Sequence, residues 1–332
     1  MRYIFCFILL LLYACSSNDN NILVTNSGEA QGSFYHIKYI SENAVDYQLQ
    51  IDSILQEIDS SLSIYKNYSL ISKLNSGQNI KTDTFFNTVF FAAQRIFFET
   101  DRNFDCSIEP IVNAWGFYDN VLFDSINNDS IKIKRLLNNV GFHKIELIGD
   151  SLILPKNMRL DFNSIAQGFT VDVIATFLQN KNIENYLIEV GGELLAKGKN
   201  VNGKNWKVGV DKPIENIDVG DRFQFILELE NKALATSGNY RKFYEKDGVK
   251  YSHTINPFTG FPAQNRLLSV TVIHDSCMIA DAYATAFMVM GVKKTKKFVR
   301  KNLNTEIYLV YTDKEGNWKT YITPSLLDRI IN

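Results

Sequence analysis

The sequence predicts an α+β fold, one continuous body behind an N-terminal targeting segment. Three observations lead there. Stretches with period-2 and period-3.6 hydrophobicity are interleaved without a regular βαβ rhythm. The 332 residues are 45% hydrophobic, enough for a sizeable core. No internal repeat, low-complexity block or Pro/Gly-rich linker divides the chain after its first residues.

The elements follow in order. "MRYIFCFILLLLYAC" has a basic residue at Arg2, an apolar run from Tyr3 to Tyr13, then Ala14-Cys15. Such a run is short for a bilayer span and has the layout of a secretory signal. Its Leu12-Tyr13-Ala14-Cys15 ending resembles a bacterial lipobox, with Cys15 as the lipidated residue. An ordinary signal peptide or an N-terminal anchor is the competing reading. "SSNDNN" then reads as a polar tether. The expected division is a lipoprotein signal peptide over 1–14, a tether over 15–27 and the body over 28–332. That layout describes an exported protein, anchored to a membrane by lipid and facing the periplasm.

Within the body, "GSFYHIKYI" alternates like a strand, and Ile51, Ile54, Leu55, Ile58 and Leu62 fall at helical spacing. A helix is expected from Thr84 to Thr100. Short strands should follow over 144–148, 152–154 and 159–162, then a helix from Ile165 to Gln179 leading into the strand "NYLIEV". Beyond Trp206 strands dominate: "WKVGV", "FQFILEL", "KALATS", "KYSHTI" and "LLSVTVI". Two helices close the pattern, over 276–290 and 293–301, with Ser276 as an N-cap and Gly291 as the residue that ends the first.

Charge and residue usage exclude several functions. Net charge is −1 with no basic block, so clustered phosphate contacts to nucleic acid are not available. His36, His143, His253 and His274 show no ligand spacing and there is no C-x-x-C, so a metal here should be a hard ion held by oxygen. The body keeps Cys106 and Cys277, whose pairing the sequence leaves open.

Four stretches carry polar groups in unusual places. "IADAYATAF" puts Asp281 in an apolar helix, where an unpartnered carboxylate costs several kcal/mol. Asp281 and Thr285 are four apart and share a face, which suits either a cation site or a Thr hydroxyl bonded back to the Asp281 carbonyl. "LDFNSIAQGFTVDVIATFL" is a strand-to-helix junction with Gly168 in the first helical turn, where N–H groups could face a phosphate. It lacks both G-x-G-x-x-G and the P-loop lysine. Asp172 within it reads as a surface or capping residue. "EVGGELLAKG" carries Gly191-Gly192, a turn or a close backbone approach. In "ALATSGNYRKFYEKDGVKYSHTINPFTGFP", Ser237-Gly238-Asn239 and Pro257-Phe258-Thr259-Gly260 read as turns on either side of His253, either a hydrogen-bonded bystander or a general base.

Together these stretches resemble the ApbE-type FAD:protein FMN transferases. The resemblance rests on "GSFYHIKY", "SLSIYKN", "FDCSIEPIVNAWGF", "LDFNSIAQGFTVD", "IEVGGELLAKG", "WKVGVDKP", "ATSGNY", "HTINPFTGFP" and "ADAYATAFMVMG", in the family's order from Gly28 to Gly291. It implies an ApbE-like, T-fold-related α+β body that binds FAD in a cleft. Such proteins move the FMN half onto a Ser or Thr hydroxyl of an acceptor flavoprotein subunit of a membrane or periplasmic redox system, releasing AMP. It also implies Mg²⁺ held by Asp281, Thr285 and the Ala166 carbonyl, and His253 as base. FAD contacts are implied at Gln31, Tyr65, Ala114, Trp115, Gly116, Phe117, Asn163, Phe169, Ile255 and Ala284.

Gln31 stands where family members often have Met, Gln167 where Lys or Glu is common, and Asn256 where Asp is usual. On this reading Mg²⁺ neutralises the pyrophosphate, His253 takes the acceptor's proton, and Tyr65, Trp115 and Phe117 offer aromatic surface to the rings of FAD. Two rivals use the same residues: hydrolysis of FAD to FMN and AMP, and a non-catalytic FAD-binding lipoprotein.

Overall fold

The computed structural model describes residues 21–118, 130–214, 222–239, 243–246, 249–252 and 254–331. Its centre is an eight-stranded antiparallel sheet. The strands are β1 (Ile22–Ala30), β2 (Ser33–Ser41), β3 (Tyr186–Val190), β4 (Glu193–Lys197), β5 (Lys232–Gly238), β6 (Leu267–His274), β7 (Glu306–Thr312) and β8 (Trp318–Ile322), neighbours in that order.

The period-2 alternation of these strands builds a three-layer body. On β5, Ala235 faces one core cluster and Leu234 another. On β7, Ile307 and Leu309 share the first cluster, Tyr308 and Val310 the second. The first face is covered by four helices: α1 (Gln48–Leu62), α2 (Thr84–Glu99), α3 (Ala166–Asn180) and α4 (Cys277–Val299). The second face packs on a smaller sheet of Trp206–Asp211, Phe223–Leu229 and Ile330–Ile331, through Trp206, Phe225 and Leu227.

Most of the expected elements form, and three differ. Residues 22–27, expected in the tether, are the start of the edge strand β1, where Asn26 is buried and donates to Asp46 at 2.6 Å. Residues 159–162 join no ladder. The Asn75 side chain takes both backbone groups of Leu160, at 2.8 Å each, and Asp161 N–H donates to the Cys106 carbonyl. Ser237 and Gly238, read as a turn, continue β5 opposite Val270 and Ser269. The helix pair expected over 276–301 forms as expected within α4, parted at Gly291, whose φ of 70° only glycine adopts freely. Ser276 does cap α4, accepting from Ile279 N–H at 3.3 Å. Among the described residues, no helix is long and apolar enough to cross a membrane. Cys106 and Cys277 are both buried free thiols.

Candidate active site

A cleft of about 580 Å³ opens beside the N-terminal end of α3. α3 starts where it does because the chain turns sharply after Phe162, whose carbonyl accepts from Ile165 and Ala166 N–H at 3.0 and 2.8 Å. The helix then runs against α4 at very close range. A Cβ on Gly168 would collide with the Cys277 carbonyl and sit 2.8 Å from Asp281 Cβ, so glycine sets how near the two helices come.

That approach places Asp281 on the cleft wall. It is 7% exposed, and its Oδ2 accepts from Gly168 N–H at 3.0 Å. Burial pushes its carboxyl up to about 7, with the Gly168 N–H opposing the shift. Thr285, one turn along, lines the same cleft, as does Ala166. The Thr285 hydroxyl makes no hydrogen bond among the described residues, so the back-bond to the Asp281 carbonyl does not account for it. The Ala166 carbonyl accepts from Thr170 Oγ1 at 2.8 Å, and Thr170 in turn accepts from Gln31 Nε2 at 2.7 Å.

Another part of the lining comes from the 161–163 turn. Asp161 accepts from Tyr118 hydroxyl at 2.5 Å and from Asn163 N–H at 2.7 Å, and burial still raises its carboxyl. Asn163 Nδ2 donates to the Tyr65 hydroxyl at 3.1 Å, and the Tyr65 and Tyr118 rings meet edge to face at 6.0 Å. One turn therefore pins both aromatic rings by their polar ends.

The electrostatics of this cleft are one-sided. Asp59, Asp105, Asp161, Glu193 and Asp281 line it, and no Lys or Arg does among the described residues. An anion entering needs a cation brought with it or already held. The Asp281 carboxylate with its one backbone donor, the Thr285 hydroxyl with no partner among the described residues and the Ala166 main-chain carbonyl, all from residues lining this cleft, are oxygen donors of the kind Mg²⁺ takes.

Of the residues the sequence singles out, Gln31, Tyr65, Phe117, Asn163, Ala166, Ile255, Asp281 and Thr285 all line the cleft. Gln31 does so from the β1–β2 turn with a φ of 53°. Trp115 departs from expectation. It is 2% exposed, packs against Ile111, Ile133 and Ile255, and its indole N–H donates to the Gly260 carbonyl at 2.8 Å. It braces the wall and offers no ring surface to the cleft. Ala114, Gly116, Phe169 and Ala284 lie behind the lining; Phe169 packs on Phe85 with centroids 5.8 Å apart. His253 and Cys15 lie outside the described residues. The turn after His253 forms as expected, with Asn256 Oδ1 accepting from Phe258 N–H at 2.9 Å, so Asn serves where Asp is usual.

Two features escape the sequence. Tyr118 and the cleft-lining acids carry no local signal, because their meeting depends on contacts such as Tyr118–Asp161, separated by 43 positions. Asp172 proves to be a cap, but for another helix: it accepts from Ser276 Oγ at 2.6 Å, Cys277 N–H at 2.9 Å and Met278 N–H at 3.0 Å.

Comparison with known proteins agrees with this architecture. The model of the ApbE family matches residues 31–309. A FAD:protein FMN transferase of Vibrio cholerae is 36% identical over 327 residues, covering 96% of this chain and 95% of that protein. Another from Haemophilus influenzae is 32% identical and covers 92% and 91%. The solved structure of the flavin transferase ApbE from Vibrio cholerae superposes with a TM-score of 0.81 at 34% identity, over 93% of this chain and 99% of that one. With the fold, the order of its motifs and near full-length similarity in agreement, this chain is a member of the ApbE family.

Proposed function

We propose that this protein transfers FMN from FAD to a Ser or Thr hydroxyl of an acceptor flavoprotein and releases AMP. The activity is the one its ApbE relatives are named for. The observation that carries the site assignment is the acid-lined cleft with Asp281 buried on its wall.

In the reaction, the acceptor oxygen forms a bond to the phosphorus of the FMN half. The bond from that phosphorus to the bridging oxygen breaks, and AMP leaves with the bridging oxygen. The acceptor's proton goes to His253, an assignment that rests on its place in "HTINPFTGFP"; such a base contributes about 10²–10⁴ in rate. Asp281, Thr285 and the Ala166 carbonyl would hold Mg²⁺. When bound, that ion supplies charge neutralisation at the pyrophosphate. Asp281 contributes the one full negative charge among these three ligands, and Gly168 N–H orients it. Tyr65 gives its ring face to a flat heteroaromatic group, held in place by Asn163. The closely packed wall behind Ile255 and Trp115 keeps water from that side.

The same reading makes the protein a lipoprotein anchored through Cys15, supported by the apolar run and the lipobox-like ending. The test of function is incubation of the purified body with FAD, Mg²⁺ and a periplasmic flavoprotein subunit, followed by mass spectrometry. A covalent FMN adduct on a Ser or Thr is the expected result. Release of FMN and AMP with no adduct would instead assign hydrolysis.

A further inference from the structure

Asp172 takes no part in the chemistry above, yet it is the most heavily bonded carboxylate at the junction of the two site helices. It lies on α3 and accepts three hydrogen bonds from the first residues of α4, from Ser276 Oγ, Cys277 N–H and Met278 N–H. These include main-chain donors that a helix start leaves without intrahelical partners. Its negative charge faces the positive end of the α4 dipole.

Four residues earlier on α3 stands Gly168, whose N–H holds Asp281. Asp281 is four residues after Cys277, so both helices advance by about 6 Å between the two contacts. The contacts are therefore rungs of one ladder between helices running in opposite directions. Asp172 with Cys277 is the first rung, and Gly168 with Asp281 is the second. The missing Cβ of Gly168 lets the rungs close, since a side chain there would strike the Cys277 carbonyl.

We infer that Asp172 is a positioning residue: it fixes the register of α4 along α3, and so sets where Asp281 and Thr285 stand relative to the Ala166 carbonyl. The inference rests on the cation site proposed above. Ala166 belongs to one helix, Asp281 and Thr285 to the other. A slip of one residue would move them apart by about 1.5 Å, whereas metal–oxygen distances hold to about 0.2 Å. Among the described residues Asp281 has a single hydrogen bond, too little to hold it in place if its helix moves.

The experiment is Mn²⁺ titration of the FAD-loaded protein, with free Mn²⁺ read by electron paramagnetic resonance. Asp172→Asn keeps size but, whichever way the amide turns, sets its NH₂ against a donor. We expect Mn²⁺ to bind at least about tenfold more weakly, as for other groups that orient ligands. Asp83→Ala serves as the control for stability alone. Asp83 caps α2, accepting from Phe86 N–H and Ser61 Oγ at 2.8 Å each, and does not line the cleft. That variant should melt lower and bind Mn²⁺ like wild type.

Affinity of Asp172→Asn within twofold of wild type, or an equal loss in Asp83→Ala, would overturn the inference. If Asp172→Asn does not fold, Ser276→Ala removes one of the three donors. It should weaken Mn²⁺ binding several-fold, and unchanged binding would count against the ladder. Wild type that takes up FAD but no Mn²⁺ would overturn the cation site and this inference with it.

Discussion

Replacing Asp281 by Asn separates a carboxylate kept for a cation from one kept for the fold. In the protein alone, burial raises this carboxyl from an ordinary 3.8 to about 7. The folded chain thus prefers the protonated form. The stability this residue lends is complete below about pH 4 and is lost as pH climbs through about 7. At about 1.36 kcal/mol per pH unit, the gap amounts to a cost on the order of 4 kcal/mol at pH 8. Asparagine keeps the volume, can accept from Gly168 N–H through its carbonyl, and carries no such cost. Asp281→Asn should therefore melt above wild type at pH 8, by about 1–2 °C per kcal/mol, and converge with it near pH 4. Adding Mg²⁺ with FAD should raise the wild-type melting temperature and leave the variant's nearly unchanged. Transfer should fall by orders of magnitude. Scanning calorimetry at pH 4, 6 and 8, with and without Mg²⁺ and FAD, reads all of this. A variant that melts lower at pH 8 while keeping the Mg²⁺ response would refute the reasoning.

Three further substitutions probe neighbouring claims. Gly168→Ala forces a Cβ against the Cys277 carbonyl, so α3 and α4 must part; we expect a loss of about 1–3 kcal/mol in stability and weaker Mn²⁺ binding, checked by chemical denaturation and metal titration. Trp115→Phe removes the indole N–H from the buried Gly260 carbonyl and leaves a small void, costing about 1–3 kcal/mol with FAD affinity of the folded protein within a few-fold of wild type; a large affinity loss at full folding would show that the ring itself meets the ligand. His253→Ala should keep FAD binding, measured by fluorescence quenching, and lose about 10²–10⁴ in transfer rate; near-wild-type rates across pH would rule out the base.

What the sequence reveals about this site is what short-range geometry controls. Ser276 and Gly291 mark the ends of the first helical stretch because capping depends on residues a few positions away. Asp281 and Thr285 share a face because four residues make about one turn. The strands follow from alternation that each carries within itself. Leu160 shows where this stops. Its segment looks like a strand, but Asn75, 85 positions away, supplies the hydrogen bonds a neighbouring strand would have made. Trp115 sits in a motif associated with a ligand, and only the packing of Ile111, Ile133 and Ile255 around it reveals its bracing part. Asp172 reads as a cap, but the helix it caps begins 104 positions later. The one-sided charge of the cleft likewise arises only when acids from distant segments meet.

The interruption at Gly291 has a consequence for how the molecule opens. A continuous helix frays and exchanges its amide hydrogens as one cooperative stretch. Here the left-handed residue breaks the run, and Asn265 Nδ2 donates to the Met288 carbonyl at 2.7 Å, closing off the first portion. Beyond the break the chain turns back onto the first portion: the Phe298 ring meets Tyr283 and Phe287 edge to face at 5.2 and 5.3 Å, and Thr295 Oγ1 donates to the Phe287 carbonyl at 3.5 Å. Residues 277–290 and 292–299 are therefore separate backbone runs coupled through their side chains. Opening of 292–299 would strip Phe298 from Tyr283 and Phe287, on the portion that carries Asp281 and Thr285, so hydrogen exchange of the two runs reports on the site from its far end.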